Sequence, residues 1–476
     1  MSRKRLPHTL KDLHIHMVGI KGTGMAAFAE LLLRRGAIVT GSDREEKFYT
    51  DEILQRLGIP YNEHFASDHI DDSVQLVIHS SAYGKENPEI QAAESGNIPL
   101  MVYTEALGYI STLTTSFGIA GVHGKTTTTA LAGTIAGAVG LEASVLVGSA
   151  VPTFDGFSTA YFGDKYFIAE TCEYKRHFLD FEPSSIILTS IEPDHLDYFK
   201  DYDDILSAYL EYIDLLPSGG DLIYCSDDKG AVEAADIMKK QRTDIHYIPY
   251  GIKAAGSYRI EKSDESEGLS TFRLAGFDRD FSLKIPGKHL ILDSAAAIAL
   301  VIRTKERENK PIDPFLLETI SKGLLSFSGT KRRSEILGEV DGILFMDDYA
   351  HHPTAIKTTL EGLKKFYPRR RLIVDFMSHT YSRTAALLDD FSRSFGAADL
   401  VLLEEIYGSA REVYNGTVTG EDLFMKTKKH NQDVYYFKDF SETEKFCREN
   451  LRKGDLFITM GAGNNWQIGK NLYNEM

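Results

Sequence analysis

Residues 118–129 read GIAGVHGKTTTT and contain the residue types that bind phosphate. They include a G-x-x-G-K-T pattern, whose members are Gly121, Gly124, Lys125 and Thr126. An apolar run before the pattern predicts a buried strand, and the threonines and alanines after it predict a helix. Backbone N–H groups and the helix dipole would face an anion, Lys125 would add a positive charge, and the Thr126 hydroxyl could ligate phosphate-bound Mg²⁺. An isoleucine replaces the first glycine of the standard loop, so the pattern predicts a variant nucleotide-binding loop. The alternative is a tight turn with an exposed lysine.

Carboxylates and a histidine follow two later strand patterns, at the point where each strand ends. Glu170 and Glu173 come after one strand, and Asp194, His195 and Asp197 come after the next. In an open parallel sheet, ligands bind beyond the carboxyl ends of the strands. A carboxylate and a neutral imidazole suit Mg²⁺ or Mn²⁺ when phosphate oxygens and water complete the coordination. Glu173 and His195 are therefore predicted metal ligands, and a solvated loop carboxylate and a capping histidine are the alternatives.

A basic run, Lys331-Arg332-Arg333, directly follows a glycine turn. Cations at such a place could hold the γ-phosphate of a nucleotide and offset the charge that moves during its transfer. The alternative is an ordinary basic stretch of the surface.

A carboxylate pair and a histidine pair follow the strand pattern GILFM. The carboxylates are Asp347 and Asp348, and His351 and His352 precede a proline. A carboxylate at a strand end can accept hydrogen bonds from both hydroxyls of a ribose. We predict the histidines as substrate contacts rather than metal ligands, with a polar loop as the alternative.

Another polar cluster, made of His379, Tyr381 and Arg383, follows the next strand pattern. Its arginine could hold a carboxylate through two parallel hydrogen bonds.

Alternating strands and helices must position these residues. The chain begins with the strand pattern LHIHMVGI, a glycine loop, a helix pattern and a second short strand, which together predict a βαβ unit. The glycine spacing is G-x-x-G-x-G, and an acidic residue, Asp43, follows about 20 positions later, as in dinucleotide-binding folds. A structural turn is the alternative.

Strand patterns continue along the whole chain and predict an α/β protein. They lie at Val74–Ile78, Ile98–Val102, Ser116–Ala120, Lys165–Ala169, Ser185–Leu188, Asp221–Cys225, His246–Tyr250, Ile343–Met346, Arg371–Phe376, Leu400–Leu403, Val434–Phe437 and Leu456–Thr459. Residues 256–285 alternate in short polar and apolar runs, which predicts a small antiparallel patch. A chain of 476 residues is too long for one core, so roughly three domains are expected.

Composition limits the classes of partner. The net charge of −16 argues against nucleic acid and anionic membranes, and an anionic substrate must be held by local cations and backbone amides. The three cysteines show no paired or metal-type spacing, which favours a reducing cytoplasm. We expect no signal peptide and no transmembrane helix, because no long apolar run follows the basic start of the chain.

The motifs taken together resemble those of the Mur ligases, in family order from about residue 13 to residue 466. They are GIKGTGM (19–25), GSD (41–43), SSA (80–82), NPE (87–89), GVHGKTT (121–127), ETCEYKRHFL (170–179), SIEPDHLDYF (190–199), PGKH (286–289), FSGTKRR (327–333), DDYAHHPT (347–354), HTYSRT (379–384) and TMGAG (459–463).

The resemblance implies an α/β fold of three domains. They would be a Rossmann-like UDP-sugar-binding domain (1–112), a central P-loop ATP-binding α/β domain (113–329) and a Rossmann-like amino-acid-binding domain (330–476). It also implies a reaction: the carboxylate of UDP-N-acetylmuramate attacks the ATP γ-phosphate, and the amine of L-alanine displaces phosphate from the acyl phosphate. ATP and Mg²⁺ or Mn²⁺ would be required, for peptidoglycan precursor synthesis by a cytoplasmic monomer or homodimer.

The resemblance assigns roles to residues that match its motifs. The sugar-nucleotide contacts would be Gly22, Thr23, Gly24, Met25, Ser42, Asp43, Ser80 and Ser81. The ATP contacts would be Gly121, His123, Gly124, Lys125, Thr126, Thr127 and Asp348. The metal ligands would be Thr126, Glu173 and His195. The remaining catalytic or substrate contacts would be Arg332, Arg333, His351, His379, Tyr381 and Arg383.

Departures from the family pattern and rival functions leave alternatives open. Leu290 and Asp293 stand where the family often has asparagine, so adenine recognition is open, and Thr380 replaces a frequent arginine beside the amino-acid pocket. A ligase that attaches a whole peptide to the same sugar nucleotide is the nearest rival. A nicotinamide-dependent oxidoreductase would leave the phosphate loop unexplained. A non-catalytic nucleotide-binding regulator would tolerate loss of Glu173 or His195, and both are present.

Overall fold

A computed structural model describes most of the chain. The described residues are 9–48, 50–195, 198–266, 269–285, 287–408, 412 and 416–476. Three residues of the quoted motifs, Leu196, Asp197 and Pro286, lie outside the described residues. Contacts divide the chain into two compact units. Unit 1 comprises Met1–Glu192, Tyr202–Ile260 and Asp293–Leu324, and unit 2 comprises Pro193–Asp201, Glu261–Leu292 and Leu325–Met476.

The first sheet is parallel and is built from short apolar strands. Its strands are β1 (His14–Val18), β2 (Ile38–Ser42), β3 (Tyr61–Asn62), β4 (Leu76–His79) and β5 (Leu100–Val102), in the order β3-β2-β1-β4-β5. The α-helices of this region are α1 (Thr23–Arg34), α2 (Thr50–Arg56), α3 (Pro88–Ser95) and α4 (Tyr103–Thr112), and Ser67–His69 forms a 3₁₀ helix. Strand β1 lies in the middle, where its apolar side chains are buried. This arrangement confirms the predicted βαβ unit.

The central sheet contains the predicted phosphate loop. Its strands are β6 (Thr115–Ala120), β7 (Ala143–Val151), β8 (Phe157–Tyr161), β9 (Tyr166–Glu170), β10 (Ser185–Leu188), β11 (Asp221–Cys225) and β12 (His246–Tyr250). They pair in the order β12-β11-β10-β6-β9-β7-β8, and the pairs are parallel except for the antiparallel pair β7–β8. The associated helices are α5 (Lys125–Ala138), α6 (Tyr202–Asp214), α7 (Lys229–Gln241) and the 3₁₀ helices Pro152–Phe154 and Tyr174–Asp180. Strands β7 and β8 were not predicted from the sequence.

Helix α1 of the first sheet packs against β7 and β8 of the central sheet. The buried carboxylate of Glu30 accepts hydrogen bonds from the backbone N–H groups of Ser158 and Thr159 on β8, each at 3.1 Å. Its other oxygen accepts a hydrogen bond from Arg34 Nε at 2.9 Å. Because an edge strand otherwise leaves N–H groups open, Glu30 both protects this edge and joins the two sheets.

A small sheet follows the central one. Its strands are β13 (Ile260–Ser266), β14 (Leu269–Leu274) and β15 (Asp280–Leu283), in that order. The pair β14–β15 is antiparallel, which confirms the patch predicted for residues 256–285. Two helices come next, α8 (Lys288–Arg307) and α9 (Pro314–Ser326).

The last sheet gathers the carboxyl ends of three strands at one edge. Its strands are β16 (Glu335–Val340), β17 (Ile343–Asp348), β18 (Arg371–Phe376), β19 (Leu400–Leu403), β20 (Val434–Tyr436) and β21 (Asp455–Met460), in the order β16-β17-β21-β18-β19-β20. The helices are α10 (Pro353–Phe366), α11 (Tyr381–Ala386), α12 (Leu388–Ser392), α13 (Gly420–Thr427), α14 (Phe440–Asn450) and α15 (Trp466–Glu475). Only β16 pairs in the antiparallel sense among these described strands. In the register, Asp348, Met460 and Phe376 are neighbours, so the polar segments that follow them leave the sheet side by side.

None of the helices in the described part of the chain is both long and apolar enough to cross a membrane.

Candidate functional site

The predicted phosphate loop connects β6 to α5 in unit 1. Gly121 has φ +135°, and a Cβ at this position would collide with the hydroxyl of Thr189. Gly124 is the N-cap of α5 with φ +80°, and a Cβ there would lie 2.7 Å from Asp293 Oδ1. Both positions therefore require glycine. The open N–H groups of the first turn of α5 suit an anion.

The segment after β10 holds the loop in place. The N–H of Val122 donates to the carbonyl of Ser190 at 3.1 Å, and the N–H of His123 donates to the Ser190 hydroxyl at 3.0 Å. The Thr189 hydroxyl donates to the carbonyl of His123 at 2.5 Å. The imidazole of His123 lies 3.5 Å from the carboxylate of Glu192. Hydrogen bonds from the segment that follows β10 therefore hold the phosphate loop in place.

Lys125 forms an ion pair with Glu173. Its Nζ donates to the two carboxylate oxygens at 2.9 and 3.2 Å and to the carbonyl of Gly121 at 2.5 Å. Burial by itself lowers the pKa of Lys125, but the carboxylate of Glu173 outweighs burial, and the pKa is raised overall. Lys125 is therefore positively charged at neutral pH. The structure brings these two predicted residues together.

Thr126 also contacts a carboxylate at the carboxyl end of a strand of the central sheet. Its hydroxyl donates to Glu170 Oε2 at 2.7 Å, and Thr127 is buried in the same turn of α5. Glu170 ends β9 and packs over Gly148 of β7, where a Cβ would overlap its carboxylate. The hydroxyl and the two glutamates offer oxygen donors of the kind that Mg²⁺ prefers.

His195 lies in unit 2, in a left-handed backbone conformation with φ +52°. Its N–H donates to Asp194 Oδ1 at 2.7 Å, and the same oxygen accepts a hydrogen bond from Arg383 Nη2 at 2.8 Å. Burial by itself raises the pKa of Asp194, but electrostatic interactions with His195, Arg383 and His351 bring it well below its usual range. Asp194 is therefore an anion at neutral pH, and it holds Arg383 by a hydrogen bond.

The histidines predicted as substrate contacts lie beside Arg383. His379 Nδ1 is 3.4 Å from Arg383 Nη1, and the rings of His351 and His379 are 6.3 Å apart. Burial and the charge of Arg383 hold the pKa of His351 well below its ordinary value, so this imidazole is neutral at neutral pH. Tyr381 begins α11, and its N–H donates to Glu412 at 2.7 Å. The four predicted residues of this cluster therefore meet at one edge of the last sheet.

Arg332 and Arg333, the predicted γ-phosphate contacts, both lie against the ring of Tyr349 but differ in their other partners. Arg332 Nε donates to the buried carboxylate of Asp347 at 2.9 Å, and its Nη2 donates to the carbonyl of Gly461 at 2.7 Å. The guanidinium of Arg333 lies 4.9 Å from the centre of the Tyr349 ring. Arg332 thus has internal partners that the sequence did not predict, and its contact with the γ-phosphate stays a prediction.

Asp348, the predicted ribose contact, already accepts hydrogen bonds from the protein. Its Oδ2 accepts from the N–H of Ser334 at 2.6 Å and from the Ser334 hydroxyl at 3.2 Å. Its Oδ1 accepts from the N–H of Ala350 at 2.7 Å. Asp348 therefore shapes its own loop, and its contact with ribose stays a prediction.

The predicted sugar-nucleotide residues surround the glycine loop of the first sheet. Gly22 is the N-cap of α1, which begins at Thr23 and continues through Gly24 and the buried Met25. Ser80 and Ser81 follow β4, and the N–H of Ser80 donates to the carbonyl of Val18 at 3.0 Å.

Asp43 holds that loop from the end of β2. Its Oδ2 accepts from the N–H of Lys21 at 2.7 Å, and its Oδ1 accepts from the Tyr83 hydroxyl at 2.9 Å. Lys21 itself is fully buried and donates to Glu63 at 2.8 Å. Sequence reasoning did not single out Lys21 or Tyr83, although a lysine inside a glycine loop is a signal that could have been used.

Comparisons with known proteins cover nearly the whole chain. Residues 14–114 match the model described as Mur ligase family, catalytic domain. Residues 119–301 match the Mur ligase middle domain, and residues 332–463 match the Mur ligase, glutamate ligase domain.

Curated relatives are similar over their full length. A UDP-N-acetylmuramate--L-alanine ligase of Treponema pallidum is 50% identical over 475 residues, which cover 100% of this chain and 99% of the relative. A ligase of the same name from Borreliella burgdorferi is 41% identical over 95% of this chain and 97% of the relative.

Solved structures share the fold. UDP-N-acetylmuramate-alanine ligase MurC from Thermotoga maritima has a TM-score of 0.79 at 24% identity and covers 97% of this chain and 99% of its own. A murein peptide ligase from Psychrobacter arcticus has a TM-score of 0.66 at 24% identity, with coverage of 97% and 98%. From the matched models and the full-length relatives, it follows that the chain belongs to the Mur ligase family.

Proposed function

We propose that this chain is an ATP-dependent ligase that joins the amine of L-alanine to the carboxylate of UDP-N-acetylmuramate. The observation that carries the proposal is the phosphate loop, with the charged Lys125 paired to Glu173 at the edge of the central sheet. The choice of substrates is supported by the names of relatives that match from end to end. The product would be a peptidoglycan precursor, and ADP and phosphate would be released.

The chemistry requires activation, because a carboxylate is a poor acceptor for an amine. Transfer of the ATP γ-phosphate to the muramyl carboxylate gives an acyl phosphate, from which the amine of L-alanine then displaces phosphate. Phosphoryl transfer depends on positioning and charge neutralisation more than on a protein nucleophile. Lys125 and the N–H groups of α5 supply both at the phosphate loop.

Thr126, Glu173 and His195 are the proposed ligands of Mg²⁺ or Mn²⁺. A hydroxyl, a carboxylate and an imidazole fit these ions when phosphate oxygens and water complete the coordination. When bound, the ion would offset negative charge on the phosphates. In the structure, Lys125 is paired with Glu173. When a nucleotide binds, its phosphate oxygens would replace that carboxylate as the partner of Lys125.

The cluster around Arg383 is the proposed amino-acid site. Arg383 is held by Asp194 and could bind the carboxylate of L-alanine. The neutral imidazole of His351 would contact the substrate beside Arg383. Tyr381 and His379 would complete the walls, and Arg332 and Arg333 would act beside the transferred phosphate.

The sugar nucleotide is assigned to the first sheet, at its glycine loop and at the ends of β2 and β4. We place the domain boundaries at 1–112, 113–329 and 330–476. The cytoplasm is the proposed location, since ATP and a nucleotide-linked sugar are the proposed substrates. A monomer or a homodimer fits this proposal.

Phosphate release from Mg-ATP tests the function. We expect release only when UDP-N-acetylmuramate and L-alanine are both present, with a loss of at least about 100-fold in Lys125→Ala. Lys229→Ala is the matched control, because Lys229 also begins a helix of the central sheet but is exposed.

The assay also separates the rival functions. Release that requires a tripeptide instead of L-alanine would replace the proposal with a peptide-attaching ligase. Absence of release with either amine would reject ligase activity.

A further inference from the structure

A buried carboxylate ties several elements of the first sheet together. Glu89 lies in the first turn of α3 and has no solvent exposure. Its Oε2 accepts a hydrogen bond from the Ser42 hydroxyl at the end of β2 and lies 3.5 Å from His16 Nε2 on β1. Its Oε1 lies 2.7 Å from His69 Nδ1 and accepts from the N–H of Ala66 at 3.3 Å. One side chain therefore joins β1, β2, α3 and the segment before β4.

The charge of Glu89 is maintained by these contacts. Burial by itself raises the pKa of this carboxyl group, but its contacts with His16, Ser42 and His69 lower it overall. A buried carboxylate is costly unless donors surround it, so removal of one donor or of the charge disturbs the whole set.

The set of contacts reaches the proposed sugar-nucleotide site through one peptide unit. Ser42, which Glu89 holds, immediately precedes Asp43. Asp43 accepts from the N–H of Lys21 at 2.7 Å and so fixes the glycine loop at the start of α1. Any shift of Ser42 must move Asp43 and, with it, the loop. Glu89 itself is buried and has no path to a ligand.

We propose that Glu89, with His16 and His69 as its partners, is a positioning residue that sets the affinity of the first sheet for the sugar nucleotide. This inference rests on the proposed function, because it takes UDP-N-acetylmuramate as the ligand of that sheet. Glu89 acts through Ser42 and Asp43, and His69 acts through Glu89.

Glu89→Gln provides the first test. The amide keeps the shape of the side chain but removes its charge, and its NH₂ group cannot accept the hydrogen bonds that one carboxylate oxygen accepted. We expect UDP-N-acetylmuramate to bind about tenfold more weakly by calorimetry. We expect the KM for ATP to change by less than about twofold. Glu94→Gln is the matched control, since Glu94 lies on the same helix but is exposed.

His69 supplies a rescue test that separates positioning from general loss of structure. His69→Phe removes the donor and should weaken binding of the sugar nucleotide as Glu89→Gln does. His69→Asn restores a nitrogen near the position of Nδ1, and its affinity should return to within about threefold of the original.

The outcomes distinguish this inference from the proposed function. Equal affinity in Glu89→Gln and the parent protein would overturn the inference, as would a parallel rise of KM for ATP or failure of His69→Asn to rescue. Binding of UDP-N-acetylmuramate without turnover in the presence of L-alanine would reject the proposed function and leave the inference standing. Absence of binding by the parent protein would overturn both.

Discussion

At the scale of single residues, a half-buried histidine contributes to the pH dependence of stability. Burial lowers the pKa of His289 from its ordinary value of 6.5 to about 4, against the opposing charge of Glu265. Between these values the unfolded chain binds a proton that the folded chain does not. The contribution of His289 to the free energy of unfolding is therefore fully present above its pKa in the unfolded chain. This contribution falls as the pH decreases towards its pKa in the folded protein.

His289→Gln should remove this part of the acid sensitivity. We expect the parent protein to lose about 2 kcal/mol more unfolding free energy than the variant between about pH 7 and about pH 5. Urea unfolding at the two pH values measures the difference. The exposed His430, changed to Gln, serves as control. Equal losses in the parent protein and His289→Gln would show that this group does not titrate as described.

Residue types at the candidate site could be read from the sequence, but their partners could not. The pattern around Lys125 predicts a phosphate loop, yet nothing local shows that Glu173, 48 positions away, neutralises it. Arg383 and Asp194 are separated by 189 positions. Such pairs depend on which strand ends meet in the folded sheets, and a local pattern carries no information about that.

At the scale of elements, the interior strands were the most predictable. Ser185–Leu188, Asp221–Cys225 and Arg371–Phe376 have the predicted bounds, because strands covered on both faces read as continuous apolar runs. Strand β7 was missed, since its sequence ASVLVGSAV mixes serine, glycine and alanine into the apolar run. Strand β16 was missed because it is half-exposed and irregular at Ile336–Gly338.

Strand β7 provides a test at this scale. Gly148→Ala adds a methyl group where the carboxylate of Glu170 now lies, and Glu170 accepts the hydrogen bond from Thr126. We expect the KM for ATP to rise about tenfold, with a smaller effect on the KM for UDP-N-acetylmuramate. Steady-state kinetics with each substrate varied in turn measures both values.

Gly396→Ala is the control for this change, because a Cβ at that position meets nothing within 4 Å. If Gly148→Ala raised both KM values equally, Glu170 would have no particular role at the phosphate loop.

At the scale of the whole molecule, Glu30 links the first sheet to the central sheet. Glu30→Gln keeps the size of the side chain. However, its NH₂ group would face N–H donors whose hydrogen bonds the carboxylate accepted. We expect the free energy of unfolding of unit 1 to fall by about 1–3 kcal/mol. Hydrogen exchange of peptides from unit 1 at increasing denaturant concentrations measures the change. Glu52→Gln on α2, which is exposed, should leave stability unchanged, and an equal effect of both substitutions would contradict the role of Glu30.

Each large sheet takes its strands from one unbroken stretch of chain: residues 14–102, 115–250 and 335–460. A ribosome therefore releases every strand of one sheet before it begins the next. Helix α1 is complete well before β8 is synthesised, so the first sheet can already be folded when the β7–β8 hairpin emerges. The nascent chain then meets Glu30 as a ready docking point, and the open edge of the growing central sheet is covered soon after it is made.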